Sequence, residues 1–295
     1  MIEAKRAAGM SQTAMSPSTW RPLKGVDARR LSEARLQAHY ATQWLARIAR
    51  GYITPRPDDE HTNLGWDDAL DGFVTHPIPD GACVYLTVSD LALGLRDRTV
   101  TSEFVLAGRT NAEARRWLGE VLTARRLDAN RLDASSPYAM PEHALAANAS
   151  YDTVGLIDAR VELAAWFANA RSSVDRVHKQ MLGRGLNVGD VRCWPHHLDL
   201  ATLASFPSRR GELGYVGVGL SPGDGYYEEP YFYVSVYPKP DPATLPELPK
   251  PGRWHTFEFT AAVITAHDII GAGHPSVETD AFLDAAVERA IDLLS

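Results

Sequence analysis

The chain has 295 residues, 45% of them hydrophobic and 23% charged, with 37 acidic against 30 basic residues for a formal net charge of -7. That composition predicts a packed core of one large domain or two modest ones, and the scattered lysines and arginines argue against the concentrated positive surface on which nucleic-acid or anionic-membrane binding depends. No apolar run approaches the roughly 20 residues of a membrane span, and two cysteines, Cys83 and Cys193, exclude a disulfide scaffold or a paired-cysteine metal knuckle.

Residues 1–26 contain no continuous apolar stretch and are expected to form a flexible tail rather than a signal peptide, which implies a cytoplasmic protein. The remainder, 27–295, is expected to be a single α+β domain, with a sub-boundary near residue 150 as the alternative. From 27 to 50, Leu31, Leu36, Tyr40, Trp44 and Ile48 recur at helical spacing, with Asp27 as the cap. After a polar turn, 82–90, 91–97 and 102–108 read as consecutive strands of a meander. Thr110 or Asn111 caps a helix that carries Trp117, Leu118 and Leu122 inward. The proline-containing, small-residue stretch 133–152 is a connection, and the longest helix is expected over 153–181, stopping at Gly183.

A second β region follows, with strands predicted at 190–206, 212–222, 230–238 and 254–266, alternating apolar with polar or small residues as half-buried antiparallel strands do. Six prolines between 237 and 252 dictate an extended loop that cannot pair inside a sheet. A final helix starts with Ser276 as its cap and presents Phe282, Ala286, Ile291 and Leu294. Runs of strands followed by helices point to an α+β fold: an antiparallel β-sheet with flanking helices, arranged as two loosely similar strand-then-helix halves.

The "LDLA" text at 198–201, the strand "PYFYVSVYPKP" at 230–240 and the glycine-containing "SPGDGYYEEP" between them resemble a widespread bacterial family of domains of unknown function. The "DRVHK" stretch of the long helix is similar to that family's helix ahead of the first motif, so the resemblance covers about 150–245. It implies a shared fold with no settled chemistry. The family pattern has no His pair before its Asp, so His196 and His197 depart from it and Asp199 is the polar position that carries over.

The chemistry centres on "CWPHHLDLA", residues 193–201. On a regular strand, alternation puts His196 with Trp194 and Leu198 on one face, which makes His196 a core residue. His197 then shares the other face with Asp199 and Cys193. A bulge near Pro195 is the device that would bring both imidazoles together. Three readings follow: acid-base catalysis by His197 oriented by Asp199, a divalent zinc or iron site on His197, Asp199 and His267, or a structural hydrogen-bonded pair. Glu228 supplies a second carboxylate for the catalytic reading. Tyr226, Tyr227, Glu229 and His255 form an aromatic and acidic rim suited to a small-molecule ligand, and the site is expected where the 193–201, 221–230 and 253–268 segments converge. A non-catalytic binding or scaffold domain is the rival reading. The glycines of "GYVGVGLSPGDG" lead into a strand rather than a helix, which argues for a glycine-containing strand over a phosphate loop. His39 with Gln43 and the histidines at 61, 76 and 143 show no usable ligand spacing.

Overall fold

A computed structural model describes residues 20–97, 101–152, 155–209 and 211–295. The first helix, α1 (Ala28–Tyr52), starts where the Asp27 carboxylate accepts from the backbone N–H groups of Arg29 and Arg30, the capping the sequence called for. It is buried on several sides, through Leu31, Tyr40, Trp44, Leu45 and Ile48. The chain then forms a five-stranded antiparallel meander in sequence order, β1 (Gly65–Asp67), β2 (Gly72–Val74), β3 (Cys83–Thr87), β4 (Ala92–Arg96) and β5 (Thr101–Val105). β1 and β2 have three residues each, too short to show a period in the sequence. α2 (Asn111–Ala124) is capped by Thr110 with Glu113 reaching back, a reciprocal capping box.

The central helix, α3 (Ile157–Gly183), begins later than 153; residues 153–154 of the expected helix lie outside the described residues. Trp166 and Phe167 in its middle are fully buried. A second antiparallel sheet follows, made of β6 (Asn187–Val188), β7 (Arg192–Trp194), β8 (Asp199–Pro207), β9 (Leu213–Ser221), β10 (Tyr231–Tyr237), β11 (Arg253–His255) and β12 (Ala261–Thr265). Its order is β11-β12-β10-β9-β8-β6, with β7 also paired to β8. The α+β class with antiparallel sheets is thus as the sequence implied, while the two halves differ in strand number and in the β12 strand that inserts between β10 and β11.

Alternation decides which face of this sheet does what. Leu200, Ala204, Val216, Val218, Leu220, Phe232 and Val234 are buried against α3 and the C-terminal helix α5 (Pro275–Leu294). The opposite face carries Asp199, Ala201, Tyr215, Gly217, Gly219, Tyr233 and Ser235. α5 starts at Pro275 with His274 as its cap, two residues before the expected cap Ser276, because proline needs no N–H partner in the first turn. The 254–266 segment is two strands rather than one, broken at 256–260 and followed by a short helix, α4 (Ala266–Ile270).

One hydrophobic core runs through both sheets, and the sheets are joined directly where Leu64 and Cys193 exchange backbone hydrogen bonds of 2.9 and 2.8 Å. Residues 1–19 lie outside the described residues, but 20–26, expected within a flexible tail, are held. The buried Glu162 carboxylate of α3 accepts from the backbone N–H groups of Lys24, Gly25 and Val26, and the Asn169 amide brackets the backbone of Arg21. Removing a buried carboxylate that serves several donors leaves them unpaired, so Glu162→Ala is expected to cost about 2–4 kcal/mol. A denaturant melt measures this, and a loss below about 0.5 kcal/mol would show that the segment is not tied down through Glu162.

Candidate functional site

The "WPHHLD" text is a hairpin, not a strand. β7 and β8 close on the Trp194 and Asp199 pair, and the backbone N–H groups of His197 and Leu198 both donate to the Trp194 carbonyl. Leu198 takes a left-handed φ of 61°, a conformation that costs a branched residue about 1 kcal/mol and is offset by complete burial of its side chain. The turn therefore projects both imidazoles outward, with ring centroids 4.3 Å apart. This overturns the strand alternation. His196 is exposed between Trp194 and Tyr138 rather than in the core, and Cys193 is buried opposite Leu200, away from the face that Trp194 and Asp199 share.

Behind the turn, the Tyr233 hydroxyl donates to Asp199 Oδ2 at 2.6 Å. The two residues belong to strands separated by β9, where Gly219 lies between Tyr233 and Ala201, two residues along β8 from Asp199. A Cβ at 219 would stand 2.8 Å from the Tyr233 hydroxyl and 2.7 Å from the Ala201 Cβ, so the phenol can cross the sheet only over a glycine. Asp199 Oδ1 is buried with no hydrogen-bond partner. Burial pushes the Asp199 carboxyl above its usual range, against the opposing pull of the Tyr233 hydrogen bond and the nearby His197 and His196. Burial, with Asp199 beside it, also pushes the Tyr233 phenol well up. Although exposed, the His196 ring is partly desolvated by its neighbours, and this, with His197 beside it, holds it below the ordinary imidazole range.

These groups line a cavity of about 830 Å³. Its floor is the Gly217, Ala201 and Asp199 face of the sheet, β7 contributes Trp194 and Arg192, and the far wall comes from the α1 to β3 region through Arg56, Glu60, Asn63 and His76. Expected partners from 221–230 and 253–268 are elsewhere. Glu228 is exposed, and Glu229 accepts from the backbone N–H of His267. His255 accepts from the Tyr227 hydroxyl, donates to the Phe257 carbonyl and stacks on Phe259, while Tyr226 bonds Glu258. His267 lines a different cavity, with Glu162 and Glu229. Among the described residues no group of three or more His, Cys, Asp or Glu side chains converges to hold an ion. His197 and Asp199 line one cavity and His267 another, so these three residues do not meet to hold a zinc or iron ion.

Tyr233 and Trp194 belong to motifs the sequence singles out, whereas the roles of Gly219 and His76 had no marker beyond the two-residue spacing of Gly217 and Gly219. His39 and Gln43, dismissed on ligand spacing, hold the hairpin from α1. His39 Nε2 and Gln43 Nε2 both donate to the Pro195 carbonyl, at 2.9 and 2.8 Å, and the Tyr138 hydroxyl donates to Gln43 Oε1. No protein family, characterised protein or solved structure matches this chain.

Burial pushes the His39 imidazole down to about 4 from the ordinary 6.5, the Pro195 hydrogen bond opposing this. Between those values the unfolded chain binds more protons than the folded one, so stability present above pH 6.5 is lost as the pH falls toward 4. The full effect is roughly 3 kcal/mol. His39→Gln keeps a donor for Pro195 and is expected to flatten this slope in melts taken across the same window; an unchanged slope would assign the acid sensitivity to other groups.

Proposed function

We propose that the protein is a small-molecule enzyme that moves protons with Asp199 and the histidine pair. One observation carries this reading: a carboxyl group at the floor of a large cavity is bonded through one oxygen to a half-buried tyrosine and keeps its other oxygen, Oδ1, without a partner. A carboxyl raised by burial holds a proton longer than an exposed one, and Tyr233 fixes which oxygen remains to deliver it. In this reading Asp199 Oδ1 donates a proton to the bound molecule and His197, with His196 beside it at the mouth, accepts one from the molecule or from water. Tyr233 is a positioning residue, as are His39 and Gln43, which fix the turn. The ligand is a small molecule, not a nucleic acid.

The test begins with a thermal-shift screen of metabolites against the wild-type chain, followed by turnover of the hits. Asp199→Asn is expected to lower turnover by about a hundredfold or more and His197→Ala by at least about tenfold, with ligand affinity altered by no more than about tenfold. Turnover that survives Asp199→Asn contradicts the enzyme reading. Ligands that bind in an Asp199-dependent way and are never converted would favour the rival, a binding domain.

A further inference from the structure

Resting on the cavity reading, the charges of the wall say what kind of molecule fits. Arg56 is paired with Glu60 at 3.0 Å and Arg192 with Asp190 at 2.9 Å. His76 Nε2 donates to Asn63 Oδ1 at 2.9 Å, and burial lowers the tendency of that imidazole to charge. An entering phosphate or carboxylate would find each guanidinium of this wall already engaged by a carboxylate, whereas tight anion sites present free forked donors. A cationic ligand wants a fixed, unpaired negative charge inside; Asp58, which accepts from the Glu60 backbone N–H, is solvent-exposed, and the carboxyl at the floor is the one that burial disposes to stay neutral.

What the wall does offer is short-range and uncharged. Trp194 supplies an aromatic surface beside a floor flattened by Gly217 and Ala201. Farther along the same floor, toward the other end of β8, lie Asn187, bonded to Ser205 at 3.0 Å, and Ser235, whose hydroxyl reaches its Gly217 carbonyl only at 3.5 Å. Asp199 Oδ1 is buried and has no hydrogen-bond partner within the protein. An aromatic plate with a carboxyl beside it and amide and hydroxyl groups spread along the floor is complementary to a ring with a C–H face and hydroxyl edges. We infer that the cavity takes an uncharged polyhydroxylated ligand, a sugar or cyclic polyol, laid against Trp194 with one hydroxyl on Asp199 Oδ1. The volume of about 830 Å³ lies in the range of cavities that enclose small organic ligands, about 300–1,000 Å³.

The experiment titrates the full chain with glucose, maltose, lactose and myo-inositol, and in parallel with glucuronate, glucosamine and glucose 6-phosphate, reading tryptophan fluorescence and calorimetric heat. Saturable binding of at least one neutral probe is expected, with the charged probes weaker by about tenfold or more. Trp194→Ala and Asp199→Asn should each weaken the neutral probe by about tenfold, and Trp194→Phe, which keeps a ring, should retain it with an unchanged melting temperature. If a charged probe binds as tightly as the neutral ones and depends on Asp199, the ligand class is wrong while the cavity reading stands. If none of the seven binds but the metabolite screen yields an Asp199-dependent hit of another chemistry, this inference alone falls; if nothing binds in an Asp199-dependent way, both fall.

Discussion

The hydrogen bond from Tyr233 to Asp199 spans a whole strand, and the rest of the site is arranged around making that span. It needs β8, β9 and β10 in one register so that Ala201, Gly219 and Tyr233 lie in a row. It also needs a strand between that offers no side chain where the phenol passes. Glycine weakens a strand by forgoing packing and by its backbone freedom, a cost of about 0.5–1 kcal/mol, and here that cost is exchanged for access to a carboxyl two strands away. The buried face of the same sheet, packed on α3 and α5, fixes the register, because a slip of one residue would turn Val216, Val218 and Leu220 out of the core.

A second constraint holds the histidines. The 195–198 turn has its own backbone hydrogen bonds but also a left-handed leucine, and its position relative to α1 depends on the Pro195 carbonyl receiving two donors from one helix face. His39 and Gln43 are four residues apart, which is the spacing that places two side chains on one side of a helix. Leu198 anchors the turn from below by complete burial. The result is an exposed imidazole pair on a rigid base, at the mouth of a cavity whose floor is the Asp199 carboxyl.

Much of this architecture was legible from pattern alone. The capped helices α1 and α2, the meander of β3 to β5 and the inward valines of β9 and β10 follow from spacing that is local and repeated. The site was legible in composition and illegible in geometry. "WPHHLD" announced His, His and Asp, but a period of two assumes an unbroken strand, and nothing in the letters states that Leu198 adopts a positive φ. The far wall was invisible for a different reason: Asn63 and His76 reach the cavity only because the Leu64 and Cys193 backbones pair, a contact between residues 129 positions apart that no short-range pattern encodes. Conversely, Tyr226 and His255 have the aromatic and polar character of a ligand rim, yet the polar groups of their cluster satisfy one another instead of facing the cavity.

Everything proposed about proton transfer depends on the Asp199 carboxyl being harder to ionise than an exposed aspartate while Tyr233 is bonded to it. Carboxyl-carbon NMR titration measures this directly, with the Asp199 signal assigned by its disappearance in Asp199→Asn. A midpoint above the ordinary 3.8 is expected, and Tyr233→Phe, which removes a hydrogen bond that favours the ionised form, should move it higher still. A midpoint at or below 3.8, or one indifferent to Tyr233→Phe, would contradict the account.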